Sequence, residues 1–249
     1  SRRNARAKHR RFLVEGPQGV REAVRHAPGR VLDVYLTEAA LERHSEIWDE
    51  AVAAGLYVHV TTQQVMDAMS PDAQGLLAVV ATEEATGSEA LAAALEGARL
   101  VAVLTQAQDP GNAGTIIRAA DAAGADAVVL VRGSVDPTAP KVVRSTAGSL
   151  FHLPVVTGVA LDDAVTALHN AGLTVLAADG RGDFDLFEAE SLLEAPSAWL
   201  LGNEAHGLPS EALSRADAVV SIPIYGKAES LNVAAAAAVC LYASARAQA

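Results

Sequence analysis

Three stretches of the chain concentrate the side chains able to do chemistry. The first, TQAQDPGNAGTIIRAADAAGA from Thr105 to Ala125, holds Asp109, Pro110, Gly111 and Asn112, with Arg118 further along. The second, LLGNEAHGL from Leu200 to Leu208, supplies Gly202, Asn203, Glu204 and His206. The third, IPIYGKAESLNVAAAAAV from Ile222 to Val239, supplies Ser230 and Asn232 ahead of an alanine-rich run. Amides, a hydroxyl, a carboxylate and a guanidinium position ligands and grip anions. Composition leaves a Ser-His-Asp set open, but no GxSxG elbow occurs, so covalent hydrolysis is poorly supported. No GxGxxG follows a strand and no GxxxxGK[ST] is present; Gly111-x-x-Gly114 and Gly180-x-Gly182 are too short to count.

Each stretch also has a plainer reading. Asn112 fits a helix N-cap with Arg118 as a surface cation, Glu204 fits the positive end of a following helix, and Ser230 is a second N-cap candidate. Asn232 resists this treatment. Inside a first helical turn, asparagine is a poor choice unless its amide has a partner.

The elements that must position these residues alternate along the chain. Phe12 to Glu15 reads as a short strand, and Gly16-Pro17 opens a helix through about His26. Residues 31–36 and 57–60 read as strands, 38–54 and 62–69 as helices, and 76–81 as a closing strand. Residues 82–97, rich in Glu, Ala, Thr, Gly and Ser with only a weak helical period in their second half, mark a domain boundary. From residue 100 the alternation strengthens. Apolar runs at 100–104, 127–131, 154–156, 174–178, 198–201 and 218–222 are separated by helices from about 113, near 138–148, from 161, after Pro209 and from about 230. Continuous apolar strands of this kind form a parallel sheet covered on both faces, whose ligands sit at the carboxyl ends of the strands. All three chemical stretches follow such strands.

Composition bounds the rest. In 249 residues, a hydrophobic fraction of 51% with 20% charged residues supplies a sizeable core, which excludes whole-chain disorder. No apolar stretch reaches the roughly 18 residues of a membrane span, and the first residues do not form a signal core, predicting a soluble cytoplasmic protein. The single cysteine, Cys240, and seven histidines without short zinc-site spacings predict neither disulfide nor metal. Net charge is −11, yet residues 1–11 carry +6 from Arg2, Arg3, Arg6, Lys8, Arg10 and Arg11, leaving −17 on the remainder. A basic arm precedes an acidic body. It reads either as a solvated terminus or as a phosphate-gripping tail.

Taken in order and at their observed separations, DPGNAGTIIRAADAAGA, LLGNEAHGL and IPIYGKAESLNVAAAAAV resemble the three motifs of the SpoU (TrmH-like, SPOUT superfamily) RNA ribose 2′-O-methyltransferases. The likeness covers residues 100–249 closely. More softly, the first 80 residues resemble the small α/β RNA-recognition domain of rRNA-modifying members. With the basic arm at 1–11 and the linker at 82–97 already read from charge and composition, the resemblance implies a substrate-binding domain at 12–81 and a methyltransferase domain at 98–249. That last domain would carry a deep trefoil knot whose loops bind S-adenosylmethionine, in a homodimer whose active site is completed across the interface.

Carried over residue by residue, the motifs place Asn112, Arg118, Glu204, Ser230 and Asn232 at catalytic and substrate-facing positions. Leu201, Gly202, Ile222 and Leu231 fall on the cofactor loops, with Leu104, Thr105, Thr146 and Gly148 nearby. Ala205 departs from the second glycine many relatives have there. The implied reaction is S-adenosylmethionine-dependent methylation of a ribose hydroxyl in RNA, with 23S ribosomal RNA favoured over transfer RNA by the added domain. Alignment of oxygen, methyl carbon and sulfur would supply most of the gain, about 7–11 kcal/mol for well-oriented reactants. Because guanidinium stays protonated, Arg118 is expected to grip the phosphate beside the ribose and favour the developing alkoxide, the proton leaving to that phosphate or to water. RNA contacts are expected from Arg2, Arg3, Arg6, Lys8, Arg10, Arg11 and Arg144, with Lys141 adding to the positive surface. Two other readings stand beside this one: a non-catalytic RNA-binding protein retaining the fold, and another parallel-sheet enzyme acting on a small phosphorylated ligand.

Overall fold

The apolar runs fold as two groups of alternating strands and helices. A computed structural model describes residues 3–83, 85–203 and 207–249. The chain divides into two compact units, 1–84 with 136–152, and 85–135 with 153–249. Arg2 and Glu204 lie outside the described residues.

The first unit begins with α1 (Arg3–His9), β1 (Arg11–Glu15), α2 (Pro17–His26), β2 (Val31–Thr37) and α3 (Glu38–Arg43). It continues with α4 (Ser45–Ala53), β3 (Tyr57–Thr61), α5 (Gln63–Met69) and β4 (Leu76–Ala81). Its sheet has the order β1-β4-β2-β3, with β4 antiparallel to β1 and β2, and β2 parallel to β3. Period-two burial in β1 sends Phe12 and Val14 to one face, where they meet Val20, Ala23 and Val24 of α2 and Ile47 and Ala51 of α4. The predicted helix over 38–54 is two helices, because the chain leaves helical geometry at His44 (φ −135°). Thr37 and Thr62 cap α3 and α5 by accepting from the amides of Ala40 and Val65.

Beyond residue 84 the chain runs through α6 (Gly87–Ala94), β5 (Leu100–Leu104), α7 (Pro110–Ala122), β6 (Ala127–Leu130), α8 (Pro140–Thr146), β7 (Val155–Thr157) and α9 (Leu161–Asn170). It ends with β8 (Thr174–Ala178), β9 (Phe184–Asp185), α10 (Glu190–Leu193), β10 (Ser197–Leu201), α11 (Ser210–Arg215), β11 (Ala218–Ser221) and α12 (Val233–Ala247). The seven strands form a parallel sheet ordered β7-β6-β5-β10-β8-β11-β9. Late in sequence, β10 sits between β5 and β8. One core holds Val101, Val103, Val129, Val175 and Leu200 of the sheet against Leu91, Val165, Leu168 and Ala212 of α6, α9 and α11. Elsewhere α12 packs along α7 and against β5 and β10, and Trp199, fully buried in β10, donates its indole N–H to Ser244 of α12 at 2.9 Å.

Three features depart from the sequence reading. Within 82–97, residues 87–94 are helical and Thr86 bridges to Thr157, so 85–97 packs as part of the second unit. Residues 136–152 pack with the first unit, although they lie inside the span 98–249: Val143 and Phe151 join the core of Phe12 and Val14, and Arg144 pairs with Glu15 and Asp72. The basic arm is not a wholly solvated tail. Arg3–His9 is helical, and Arg6, 8% exposed, places its guanidinium 2.6 Å from Asp136 and its Nε 3.3 Å from the Thr138 hydroxyl.

Candidate functional site

All the motif residues described in the second unit lie at the carboxyl ends of its strands or on the helices that follow. Asp109, not Asn112, caps α7: its carboxylate accepts from the Asn112 amide at 2.8 Å, with Pro110 at the first helical position. That releases the Asn112 side chain from capping. Asn232, not Ser230, caps α12: its Oδ1 accepts from the amides of Ala234 and Ala235 at 2.9 and 3.4 Å. The same side chain donates through Nδ2 to Asn112 Oδ1 at 3.1 Å. The amide of Asn232 therefore has its partner on another helix.

The loops after β5 and β10 are tied together. The Thr105 amide and hydroxyl both donate to the Leu201 carbonyl at 2.9 Å, and the Asn203 side chain donates to the Gln106 carbonyl at 3.0 Å. Asn203 and Gly207 exchange backbone hydrogen bonds at 3.0 and 2.9 Å. Backbone passes so close here that a Cβ on Gly202 would lie 2.4 Å from the Gly207 carbonyl carbon. Only glycine fits.

Beneath these loops opens a cavity of about 470 Å³ lined by backbone and side chains of Asp179, Gly202, Asn203, Ile222, Leu231 and Asn232, with Ser230 and Glu229 also contributing. That volume is in the range of pockets for organic cofactors, roughly 300–1,000 Å³. A cradle of glycine and carbonyl-rich loops with apolar Ile222 and Leu231 suits a flat heterocycle held through its edge. Arg181 hydrogen-bonds to both oxygens of Asp179 and holds that carboxyl below the usual carboxylate range against the opposing effect of burial, so one wall carries an ionised Asp179 paired with a guanidinium.

Of the residues the sequence reading named, Gly202, Ile222, Leu231, Ser230 and Asn232 line the cavity, and Asn112 joins them through its hydrogen bond to Asn232. Arg118 is exposed on α7. Leu104, Thr105 and Leu201 are buried and act as the frame of the loops. Thr146 and Gly148 belong to the first unit, where the Thr146 hydroxyl donates to the Val143 carbonyl and Gly148 packs against Glu22. Arg3, Lys8, Arg10 and Arg11 are exposed in the first unit, whereas Arg6 and Arg144 are engaged in ion pairs. The sequence reading missed Asp179 and Gly180 at the end of β8. The rule that ligands sit at strand carboxyl ends applies to β8 as to β5, and would have found them.

Comparison with known proteins bears on this geometry. The family described as SpoU rRNA Methylase matches residues 99–242, and the domain described as RNA 2'-O ribose methyltransferase substrate binding matches residues 13–86. The chain is 35% identical over 242 residues to the Bacillus subtilis (strain 168) 23S rRNA (guanosine(2553)-2'-O)-methyltransferase RlmP, covering 95% of this chain and 89% of that one. It is 34% identical over 258 residues to the 23S rRNA (uridine(2479)-2'-O)-methyltransferase of Streptomyces viridochromogenes, covering 98% and 85%. Among solved structures, the SpoU methyltransferase AviRb from Streptomyces viridochromogenes in complex with AdoMet superposes with a TM-score of 0.83 at 30% identity, covering 99% of this chain and 94% of that one.

Proposed function

Because the chain belongs to the SpoU rRNA methylase family, we propose that it transfers a methyl group from S-adenosylmethionine to a ribose 2′-hydroxyl of RNA, with 23S ribosomal RNA as the substrate. The observation that carries this reading is the Asn112–Asn232 pair at the edge of a glycine-framed cavity of cofactor size. When bound, S-adenosylmethionine supplies an electrophilic methyl group on a sulfonium. The chain's own residues do the rest.

Gly202, Ile222 and Leu231 hold the cofactor. Asn112 and Asn232 fix the first turns of α7 and α12 in register, so that hydroxyl and acceptor groups meet the ribose in one orientation. Arg118 remains protonated, grips the phosphate beside the target ribose and lowers the energy of the alkoxide as it develops. Ser230 is a neutral hydrogen-bonder facing the same cavity, and Glu204 completes the set in this reading.

The first unit takes part in RNA recognition, supported by its match to a substrate-binding domain, and the relatives named 23S rRNA methyltransferases support ribosomal over transfer RNA. Thr146, buried in the first unit, and Gly148, packed against Glu22, are left out of the cofactor set, and Arg2, Arg3, Lys8, Arg10 and Arg11 are kept as RNA contacts. The functional molecule is a homodimer. Tyr225 (87%), Leu231 and Tyr242 are large apolar side chains left exposed near and along α12, which a second copy would cover. Insertion of β10 between β5 and β8 supports the trefoil knot of the family fold. Among the described residues no helix is long and apolar enough to cross a membrane, in keeping with action on ribosomal RNA in the cytoplasm.

The test is transfer of a tritiated methyl group from labelled cofactor to ribosomal RNA, with the methylated position mapped in cells with and without the gene. Ribose methylation at a single nucleotide is expected. Cofactor binding without transfer to any RNA would leave the non-catalytic RNA-binding reading.

A further inference from the structure

We propose that Glu22, His26 and His152 form a binding site for a divalent transition metal of the zinc class within the first unit. Glu22 Oε2 lies 3.3 Å from His26 Nε2 and 3.0 Å from His152 Nε2. All three donor atoms fall within 4.8 Å of one another. A tetrahedral zinc with bonds of about 2.0–2.1 Å places its donors about 3.3–3.4 Å apart, so the observed spacing needs only small side-chain rotations to admit the ion.

Local structure positions each donor. Glu22 and His26 stand one helical turn apart on α2 and therefore share a face. His152 follows the single turn Ser149–Phe151, and its ring meets that of His26 edge-on at 4.6 Å. The carboxylate stem is held independently of the imidazoles. Gly148, at φ +103°, leaves the space that the Glu22 side chain fills, and a Cβ there would lie 2.3 Å from Glu22 Cγ. Side chains at the site remain partly open to solvent, with Glu22 at 19% and His26 at 50% exposure, which leaves an entry path and a position for water.

The chemistry of the donor set selects the ion. Two neutral imidazoles and one carboxylate suit zinc, nickel or copper, whereas magnesium and calcium require an oxygen-rich cage. Binding would replace one hydrogen bond, from His152 to Glu22, and the close approach of His26 to the same carboxylate oxygen by three coordinate bonds. It would also join α2 to a segment 130 residues away in sequence, stapling the returning residues 136–152 onto the first unit. Histidines 26 and 152 are too far apart in the chain for any zinc-finger spacing to reveal them.

The experiment uses the full chain without an affinity tag, stripped with chelator and titrated with Zn²⁺ by calorimetry, and with Co²⁺ by visible absorption. Saturable binding of one ion, tetrahedral cobalt bands and a rise in Tm with Zn²⁺ are expected. His152→Gln, which can still hydrogen-bond to Glu22 but ligates poorly, and His26→Ala should each weaken binding by about tenfold or more. His59→Ala, on the β3 edge, should leave binding unchanged, and S-adenosylmethionine affinity should be the same in every variant. Absence of saturable binding to the wild-type chain, or binding unchanged in both His26 and His152 variants, overturns the proposal and leaves the cluster as a hydrogen-bonded latch.

Discussion

The amide of Asn232 does two jobs at once: its oxygen caps α12 and its nitrogen donates to Asn112 on α7 across 3.1 Å. Two helices 120 residues apart in sequence are thereby joined at the ends that face the cavity. Capping alone would be served by many side chains. The second hydrogen bond is what requires an amide.

Asn232→Asp separates those jobs. Aspartate keeps the capping oxygen and is favourable at a helix N-terminus, so thermal unfolding should change by less than about 1 kcal/mol. It cannot donate to Asn112, and methyl transfer should fall about 10–100-fold from lost alignment. Unfolding curves and transfer rates measured on the same preparations check this; normal turnover would reduce Asn232 to a cap.

Arg118 is exposed on α7, so Arg118→Ala should change stability by less than about 0.5 kcal/mol. Turnover on RNA should drop about 100-fold or more, with cofactor affinity unchanged, if the guanidinium acts on the phosphate and the developing alkoxide. Single-turnover rates across pH test the assignment further. A rate and pH profile unchanged in Arg118→Lys would count against a two-point guanidinium grip, and turnover unchanged in Arg118→Ala would overturn the phosphate role.

Gly202→Ala should weaken cofactor binding by collision rather than by chemistry. The new methyl would lie 2.4 Å from Gly207 backbone and 2.6 Å from the Leu208 amide nitrogen, and neither can yield without moving the loop. Calorimetric affinity for S-adenosylmethionine should weaken about tenfold or more while the first unit keeps its Zn²⁺ response.

Arg6 and its exposed neighbours should behave oppositely. Burial works against the Asp136 charge, but the Thr138 hydroxyl and amide together with Arg6 outweigh it and hold the carboxyl below its ordinary value. A carboxyl depressed in the folded state adds stability that is complete above the unfolded value of about 3.9 and disappears as pH falls through the folded one. Arg6→Ala should therefore cost about 1–3 kcal/mol at neutral pH and shrink the acid-induced loss, read by unfolding at several pH values. Arg3→Ala with Lys8→Ala should leave stability alone and flatten the salt dependence of RNA binding. Deleting residues 1–11 would confound the two effects, since it removes Arg6 and the first residue of β1.

Cys240 is buried on α12, and burial pushes its thiol up to about 12. Reaction with a thiol reagent at neutral pH should be absent in the folded protein and complete after denaturation. Rapid modification of native protein would place α12 differently.

Much of this arrangement was legible in the residues alone. Apolar runs such as 100–104 and 198–201, separated by helical periods, announced a parallel sheet, and each of its long strands occurs where the runs stand. The motif residues, by their order and spacing, pointed to the same strand ends. The two-residue strand Phe184–Asp185 escaped notice because so short a segment has no period to detect. The helix near 138–148 was foreseen as an element, yet its packing with the first unit was not, because Val142 and Val143 would suit the core of either unit equally well.

From the sequence alone came the class of fold, the succession of elements and the three motif loops, since these depend on propensities and periodicities that operate among near neighbours. Tertiary structure alone decided that Asp109 and Asn232 are the caps, that Asn112 meets Asn232, that Arg6 is buried against Asp136, and that Glu22 gathers His26 and His152. The two caps and the Glu22–His26 turn are local, whereas the Asn112–Asn232, Arg6–Asp136 and Glu22–His152 contacts join residues brought together by packing rather than by spacing along the chain. Even for Asp109, choosing between it and Asn112 required the backbone geometry of the turn, because either side chain could cap a helix.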